Sequence, residues 1–252
     1  MDSKFYSENQ AQVNILIPMA GMGSRFVQAG FIDPKPLIPV LGKTMVEWAM
    51  KSFNFLDKIQ NYRLIFVVLH EHIEKYQIDV KLKALFGEQT IVIPATGVLN
   101  GQSKSCMLAK QYIDNDSKLF IYNCDTYMTS NIWDIIVKED PDGVIPCFEA
   151  TNPSYSYAKV DSGGNVVEVA EKQAISNLAT IGMYYFKKGS DYVQAAETQF
   201  AGNKTYNNEF YVGPCYNELI VAGKHIKIAS VLTRWIIGTP DELKNFEQNY
   251  KE

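Results

Sequence analysis

The chain has 252 residues, 46% of them hydrophobic and 21% charged, with a net charge of −4. That length allows one large domain or two small ones and a sizeable core. The acidic balance, without a long basic block, argues against a nucleic-acid binder, and no apolar stretch reaches the roughly 18 residues of a membrane span.

The opening "MDSKFYSENQAQ" is polar and lacks an apolar signal core, so residues 1–12 are expected to be disordered and export is not expected. Apolar runs at 14–18, 63–69, 90–94, 118–123 and 143–148 predict strands covered on both faces, as in a parallel sheet. Between them, 44–56 reads as a helix opened by a capping box, Thr44 with Glu47 three residues on. Helical spacing also marks 103–113 and 131–139. This alternation predicts a three-layer, Rossmann-like α/β fold with a mostly parallel sheet.

After residue 148 the pattern changes, and antiparallel additions are expected. Residues 157–172 read as a hairpin turning at Gly163-Gly164. A strand over 179–188, a helix near 190–200 and a strand over 225–232 follow. The last helix starts at "TPDEL", where Thr239 caps, Pro240 fits the first turn and Glu242 completes a second capping box. There is no linker, repeat or low-complexity tract, so residues 1–252 are expected to form a single domain.

Cys106, Cys124, Cys147 and Cys215 form no C-x-x-C pair; they read as reduced, mostly buried thiols of a cytoplasmic protein, without a structural zinc site. His70 and His72 offer a small metal pair on paper. With few other ligand types nearby, the better reading is a strand end entering a helix, with polar side chains outward.

The loop "PMAGMGSRF" completes neither familiar phosphate fingerprint. A G-x-G-x-x-G pattern needs glycine at 26, where Phe26 stands; a Walker A loop needs it at 37, where Leu37 stands. Gly42-Lys43-Thr44 is therefore a turn plus a cap. Gly21 and Gly23 still let backbone N–H groups approach an anion closely. Arg25 adds a planar fork suited to phosphate oxygens, and Lys35 is held between Pro34 and Pro36. The combination points to phosphate binding.

"GMGSRF" followed by "DPKPLIPVLGKTMVEW" resembles the sugar-phosphate nucleotidylyltransferase superfamily, and the likeness extends through "NCDTY", "VAEK", "NNEFYVGPCYNELI" and "IIGTPDEL". It suggests a small bacterial surface-polysaccharide type. The resemblance implies a nucleotide-binding half at about 13–148 and an acceptor-binding half at 149–252. It implies a triphosphate cradle from Ala20, Gly21, Gly23 and Ser24, with Arg25 and Lys35 on phosphates. Gly101 is implied to let the following helix approach the nucleotide, with Gly97 a competing candidate. Asp125, just past the apolar strand at 118–123, stands where ligands bind in open α/β sheets, and the resemblance implies that it coordinates Mg²⁺.

Glu171 and Lys172 are implied to lie by the acceptor, with Lys172 on its phosphate. Glu209, Tyr211 and Asn217 would suit a hydroxyl-rich acceptor pocket, or belong to an aromatic core. Many sugar-1-phosphate members carry a second metal-binding aspartate where this chain has Ile236, so that ligand is missing or supplied elsewhere. The loop also resembles that of cytidylyltransferases such as those acting on choline phosphate, which leaves CTP open.

The expected reaction is in-line attack by an acceptor phosphate on the α-phosphorus of an NTP, with pyrophosphate leaving. Arg25, Lys35, Asp125 and Lys172 are the catalytic set, and a homodimer is a candidate assembly. The alternatives are a nucleotide-sugar-dependent glycosyltransferase of the same fold and a non-catalytic nucleotide-sensing module. The first usually holds its metal with a D-x-D-like motif, and "CDTY" offers one aspartate.

Overall fold

In the computed structural model the described residues are 13–251; the expectation made for 1–12 lies outside them. The first half supplies strands β1 (Val13–Met19), the short pair β2 (Pro39–Val40) and β3 (Lys43–Thr44), β4 (Tyr62–Leu69), β5 (Ile91–Ala95), β6 (Lys118–Tyr122), β7 (Thr126–Ser130) and β8 (Gly143–Glu149). The second half adds β9 (Tyr157–Val160), β10 (Val166–Ala170), β11 (Leu178–Thr180), β12 (Met183–Phe186) and β13 (Ile226–Ile236).

The main sheet runs β10-β9-β11-β8-β12-β6-β1-β4-β5, with β13 joining β8 and β7 off that path. Strands β6, β1, β4 and β5 are mutually parallel. Strand β12 enters antiparallel between β6 and β8 and joins the two halves. The chain is thus a mixed α/β fold whose sheet is mostly parallel in its first half, as its runs imply.

The runs in β1, β4, β6 and β8 are apolar without alternation because both faces are buried; the edge run in β5 is only half-buried. Ile15, Ile17, Phe66, Phe120 and Tyr122 belong to one layer of core, while Leu16, Ile65, Val67, Leu119 and Ile121 belong to the other. Helices Met45–Met50, Ile78–Phe86 and Ile132–Glu139 cover the first face. Gln102–Cys106, Gly189–Ala201 and Cys215–Val221 cover the second. A third cluster, with Phe26, Trp48, Ile237 and Phe246, lies beneath the glycine loop and the last helix, Pro240–Asn249.

The Thr44–Glu47 capping box forms, but the helix expected over 44–56 stops at Met50. Ser52 is withdrawn to bond the Tyr122 hydroxyl at 3.1 Å and the Met128 amide at 3.0 Å. Phe53 and Phe55 turn onto Phe120. Burying two aromatic rings outweighs the few tenths of a kcal/mol of helix propensity at each of those positions. The 157–172 hairpin forms, with a bulge near Val166. The strand expected over 179–188 is two, β11 and β12, broken at Gly182, whose φ is 80°. A Cβ there would stand 2.1 Å from Asn123 Nδ2.

All four cysteines are buried and free. His70 points outward and pairs with Glu74 at 3.4 Å, whereas His72 is buried with no partner for Nδ1. Among the described residues no group of three metal-ligating side chains forms, and no helix is long and apolar enough to cross a membrane.

Candidate active site

β1 and β6 end side by side, and the loops leaving them form one continuous cleft. Beyond Met19 the chain turns through the glycine loop. Gly23 takes a left-handed conformation, φ 60°, as cap of the helix Ser24–Gln28. A Cβ on it would press to 3.0 Å from the Lys35 Cβ, while one on Gly21 would meet nothing within 4 Å. The two glycines therefore do different work: Gly23 is required by the fold, and Gly21 leaves open space on the cleft side.

Lys35 begins the 3-10 turn Lys35–Leu37, with Pro34 extended ahead of it and Pro36 within it. Its Nζ lies 2.5 Å from Asp125 Oδ2. Burial opposes the ammonium charge, but the Asp125 carboxylate outweighs that and holds Lys35 above its ordinary pKa. Asp125 follows β6, and its carbonyl accepts the Ile237 N–H at 2.8 Å. That bond seats the residues after β13 beside it. Gly23, Ser24, Arg25, Lys35 and Gly238 line a cavity of about 280 Å³. A larger one, about 500 Å³, runs from Arg25, Lys35 and Asp125 across to Glu171, Lys172 and Tyr211.

At that far end Lys172 has a φ of 50°, a left-handed backbone that costs a non-glycine residue about 1–3 kcal/mol and clusters at ligand sites. Its ammonium donates to the Tyr211 hydroxyl at 2.9 Å, and Tyr211 in turn donates to Glu209. Glu171 accepts from the Ser156 hydroxyl. Burial pushes the Glu171 carboxyl above the usual range, with Ser156 and Lys172 opposing in part.

Nine of the expected residues thus line the cleft: Gly21, Gly23, Ser24, Arg25, Lys35, Asp125, Glu171, Lys172 and Tyr211. Ala20 is buried under the loop against the core. Glu209 stands behind Tyr211. Gly101 has φ 96°, and a Cβ on it would stand 2.3 Å from the Phe210 carbonyl oxygen, so its missing side chain makes room for that backbone; the next residue, Gln102, is the one that lines the cleft.

Asn217 requires a correction. Both ends of its amide are occupied by Val169, accepting from the N–H and donating to the C=O at 2.8 Å each. It therefore fastens β10 and does not line the pocket. The sequence reading missed Gln102, Asn123, Ser156, Tyr184, Gly238 and Glu242 in the cleft wall. Gln102 and Asn123 flank residues it did select and bond each other at 2.7 Å. Glu242 was legible only as a cap.

Comparison with known proteins identifies the family and the fold. A family model described as nucleotidyl transferase matches residues 15–212. A bifunctional protein GlmU of Methanococcus aeolicus is 28% identical over 179 residues, 69% of this chain and 40% of that protein. The low-salt glycan biosynthesis nucleotidyltransferase Agl11 of Haloferax volcanii is 28% identical over 191 residues, covering 72% of this chain and 52% of its own. The chain thus matches about half or less of these relatives' length. A nucleoside-diphosphate-sugar pyrophosphorylase of Vibrio cholerae superposes with a TM-score of 0.80 at 28% identity, covering 93% of this chain and all of its own. The inositol-1-phosphate CTP transferase of T. maritima shares the fold at TM-score 0.70 and 15% identity, covering 96% of this chain and 99% of its own. The chain belongs to the nucleotidyl transferase family.

Proposed function

We propose that this protein transfers a nucleotidyl group from an NTP to a phosphorylated small-molecule acceptor, a sugar phosphate or a related compound. The observation that carries the reading is the Lys35–Asp125 pair on the floor of a cleft with a glycine loop at one end and Lys172 at the other. An acceptor phosphate oxygen attacks the α-phosphorus, the bond to the β-phosphate bridging oxygen breaks, and pyrophosphate leaves. A phosphate monoester is largely dianionic at pH 7, so no general base is needed. Positioning and charge neutralisation supply the catalysis. Gly21 and Ser24 bind the triphosphate, Arg25 and Lys35 neutralise it, and Lys172 holds the nucleophile against charge repulsion. Glu171 and Tyr211 form the acceptor wall.

Mg²⁺ fits this donor set. Asp125 offers a carboxylate that already attracts an ammonium, and Gly238 leaves a hollow beside it: a Cβ there would stand 3.0 Å from Asp125 Oδ2. Asp125 would hold the ion, which would supply Lewis-acid neutralisation of the charge on the leaving group.

The Agl11 relative's role in glycan biosynthesis favours capsule or surface-glycan precursor synthesis as the setting. The serine in the loop, Ser24, favours CTP. A matrix of CTP, UTP, dTTP, GTP and ATP against phosphorylated sugars, polyols and amino-alcohols, read by pyrophosphate release, tests the reading. Release dependent on one acceptor is expected. Cleavage of a nucleotide sugar with no pyrophosphate from any pair would establish the glycosyltransferase alternative instead.

A further inference from the structure

We infer that Arg234 selects the acceptor by receiving a carboxylate that the acceptor carries in addition to its phosphate. The inference rests on the nucleotidyl-transfer reading above and narrows its acceptor to a phosphorylated carboxylic acid.

Strand β13 sets Arg234 on the cleft wall. From Thr233 to Ile236 it pairs with β7 in regular register, so Arg234 and Ile236 share one face of the strand. Ile236 lines the cleft, while Trp235, on the other face, packs on Phe246. Counting back from Gly238, beside Asp125, the strand reaches Ile236 and then, about 7 Å farther on, Arg234. The Arg234 guanidinium lies over the Phe148 ring, 4.2 Å from its centroid. Phe148 meets Tyr155 edge-on at 5.2 Å, and Tyr155 lines the acceptor end. The aromatic pair thus seats the guanidinium at the rim of the acceptor pocket.

No anion of the protein takes it up. Arg234 is exposed, and among the described residues its guanidinium has no hydrogen bond or ion pair. The carboxylates of the acceptor end are engaged elsewhere, Glu171 by Ser156 and Glu209 by Tyr211. Other cations of this half do have carboxylate partners: Lys187, Lys204, Lys224 and Lys227. A guanidinium held flat on an aromatic face keeps its edge N–H donors free, and their fork grips a carboxylate through two parallel bonds. Its single charge also matches a carboxylate. A second phosphate, about −1.5 to −2 at pH 7, would call for a further cation. The other cations lining this cavity, Arg25, Lys35 and Lys172, serve the nucleotide and the attacking phosphate.

The test measures pyrophosphate release by the full chain with acceptor pairs that differ by one carboxylate. These are 3-phosphoglycerate against glycerol 3-phosphate, O-phosphoserine against O-phosphoethanolamine, and glucuronate 1-phosphate against glucose 1-phosphate. Glucose 1,6-bisphosphate is the arm for a second phosphate. In at least one pair the acid should have the higher kcat/KM, by about tenfold or more and chiefly through KM. Arg234→Gln should cut that preference by about tenfold or more, the scale of a lost hydrogen bond to a charged group. Arg234→Lys should restore only part of it, because an ammonium keeps the charge without the fork.

If Arg234→Gln lowers both members of a pair equally, Arg234 only covers Phe148 and the inference is overturned. Preference for the neutral member in every pair, or for the bisphosphate over every acid, would overturn it too. In each of these cases pyrophosphate is released, so the nucleotidyl-transfer reading stands. No release from any acceptor with any of the NTPs named above would defeat that reading, and the role of Arg234 with it.

Discussion

Lys35 and Asp125 are 90 positions apart in sequence and meet at 2.5 Å, so each is the other's partner until a ligand competes. Arg25→Ala and Asp125→Asn should each lower turnover by about 10²–10³-fold, the usual scale for losing a group that stabilises transition-state charge, with unchanged circular dichroism. Near-wild-type turnover in both would contradict the mechanism. Lys172→Ala should raise the acceptor KM and lower kcat; an effect confined to NTP affinity would contradict its assignment. Glu171 makes a different prediction. Its folded pKa is raised above the ordinary 4.5 by burial, so its contribution to stability is fully present below pH 4.5. That contribution is lost as pH rises through the folded pKa, where the ionised buried carboxylate becomes a cost. Glu171→Gln should therefore melt higher than wild type at pH 7, and the two should converge below pH 4.5.

At the scale of elements, glycines with the same sequence signature separate by what their missing side chain accommodates. Gly101 docks the Phe210 backbone onto the start of the helix Gln102–Cys106: Ser103 N–H donates to the Phe210 carbonyl at 3.0 Å, and Phe210 N–H to that of Asn100. Gly101→Ala combines a 2.3 Å clash with a φ of 96° and should cost about 1–3 kcal/mol or more of stability. Gly21→Ala fills open space and should leave the melting temperature unchanged while raising the NTP KM. Differential scanning calorimetry beside initial rates separates the two. The caps at Thr44 and Thr239 were legible because a cap is a contact within four residues. The end of the helix at Met50 was not, because Ser52 and two phenylalanines serve partners 65 to 76 positions away.

For the whole molecule, the parallel half was legible because strands buried on both faces must be apolar throughout, as at Ile15 and Leu16. That Arg25, Lys35, Asp125 and Lys172 share one cleft was foreseen from residue types suited to phosphate chemistry. Less of the acceptor half could be read. The single run over 179–188 conceals a break made necessary by Asn123, and Asn217 resembles a polar ligand group until Val169 is seen to occupy it. Buried His72 likewise shows that polarity alone does not place a side chain outside. These residues are set by contacts across the sheet, which no local pattern encodes.

The sheet's two outer strands carry one more consequence. Strands β5 and β10 end the long path of strands, and an unpaired strand edge is a template on which another chain can add. β5 carries an exposed Pro94 opposite Val68, and β10, whose Val169 N–H and C=O are already taken by the Asn217 amide, is bulged near Val166 and carries an exposed Glu168. Proline removes an edge donor, while a bulge and a charge spoil the flat geometry that strand addition needs. Sheet growth is thus blocked at both ends by features outside the cleft lining. Pro94→Val should keep full activity but raise light scattering on prolonged incubation, a cost in colloidal behaviour alone.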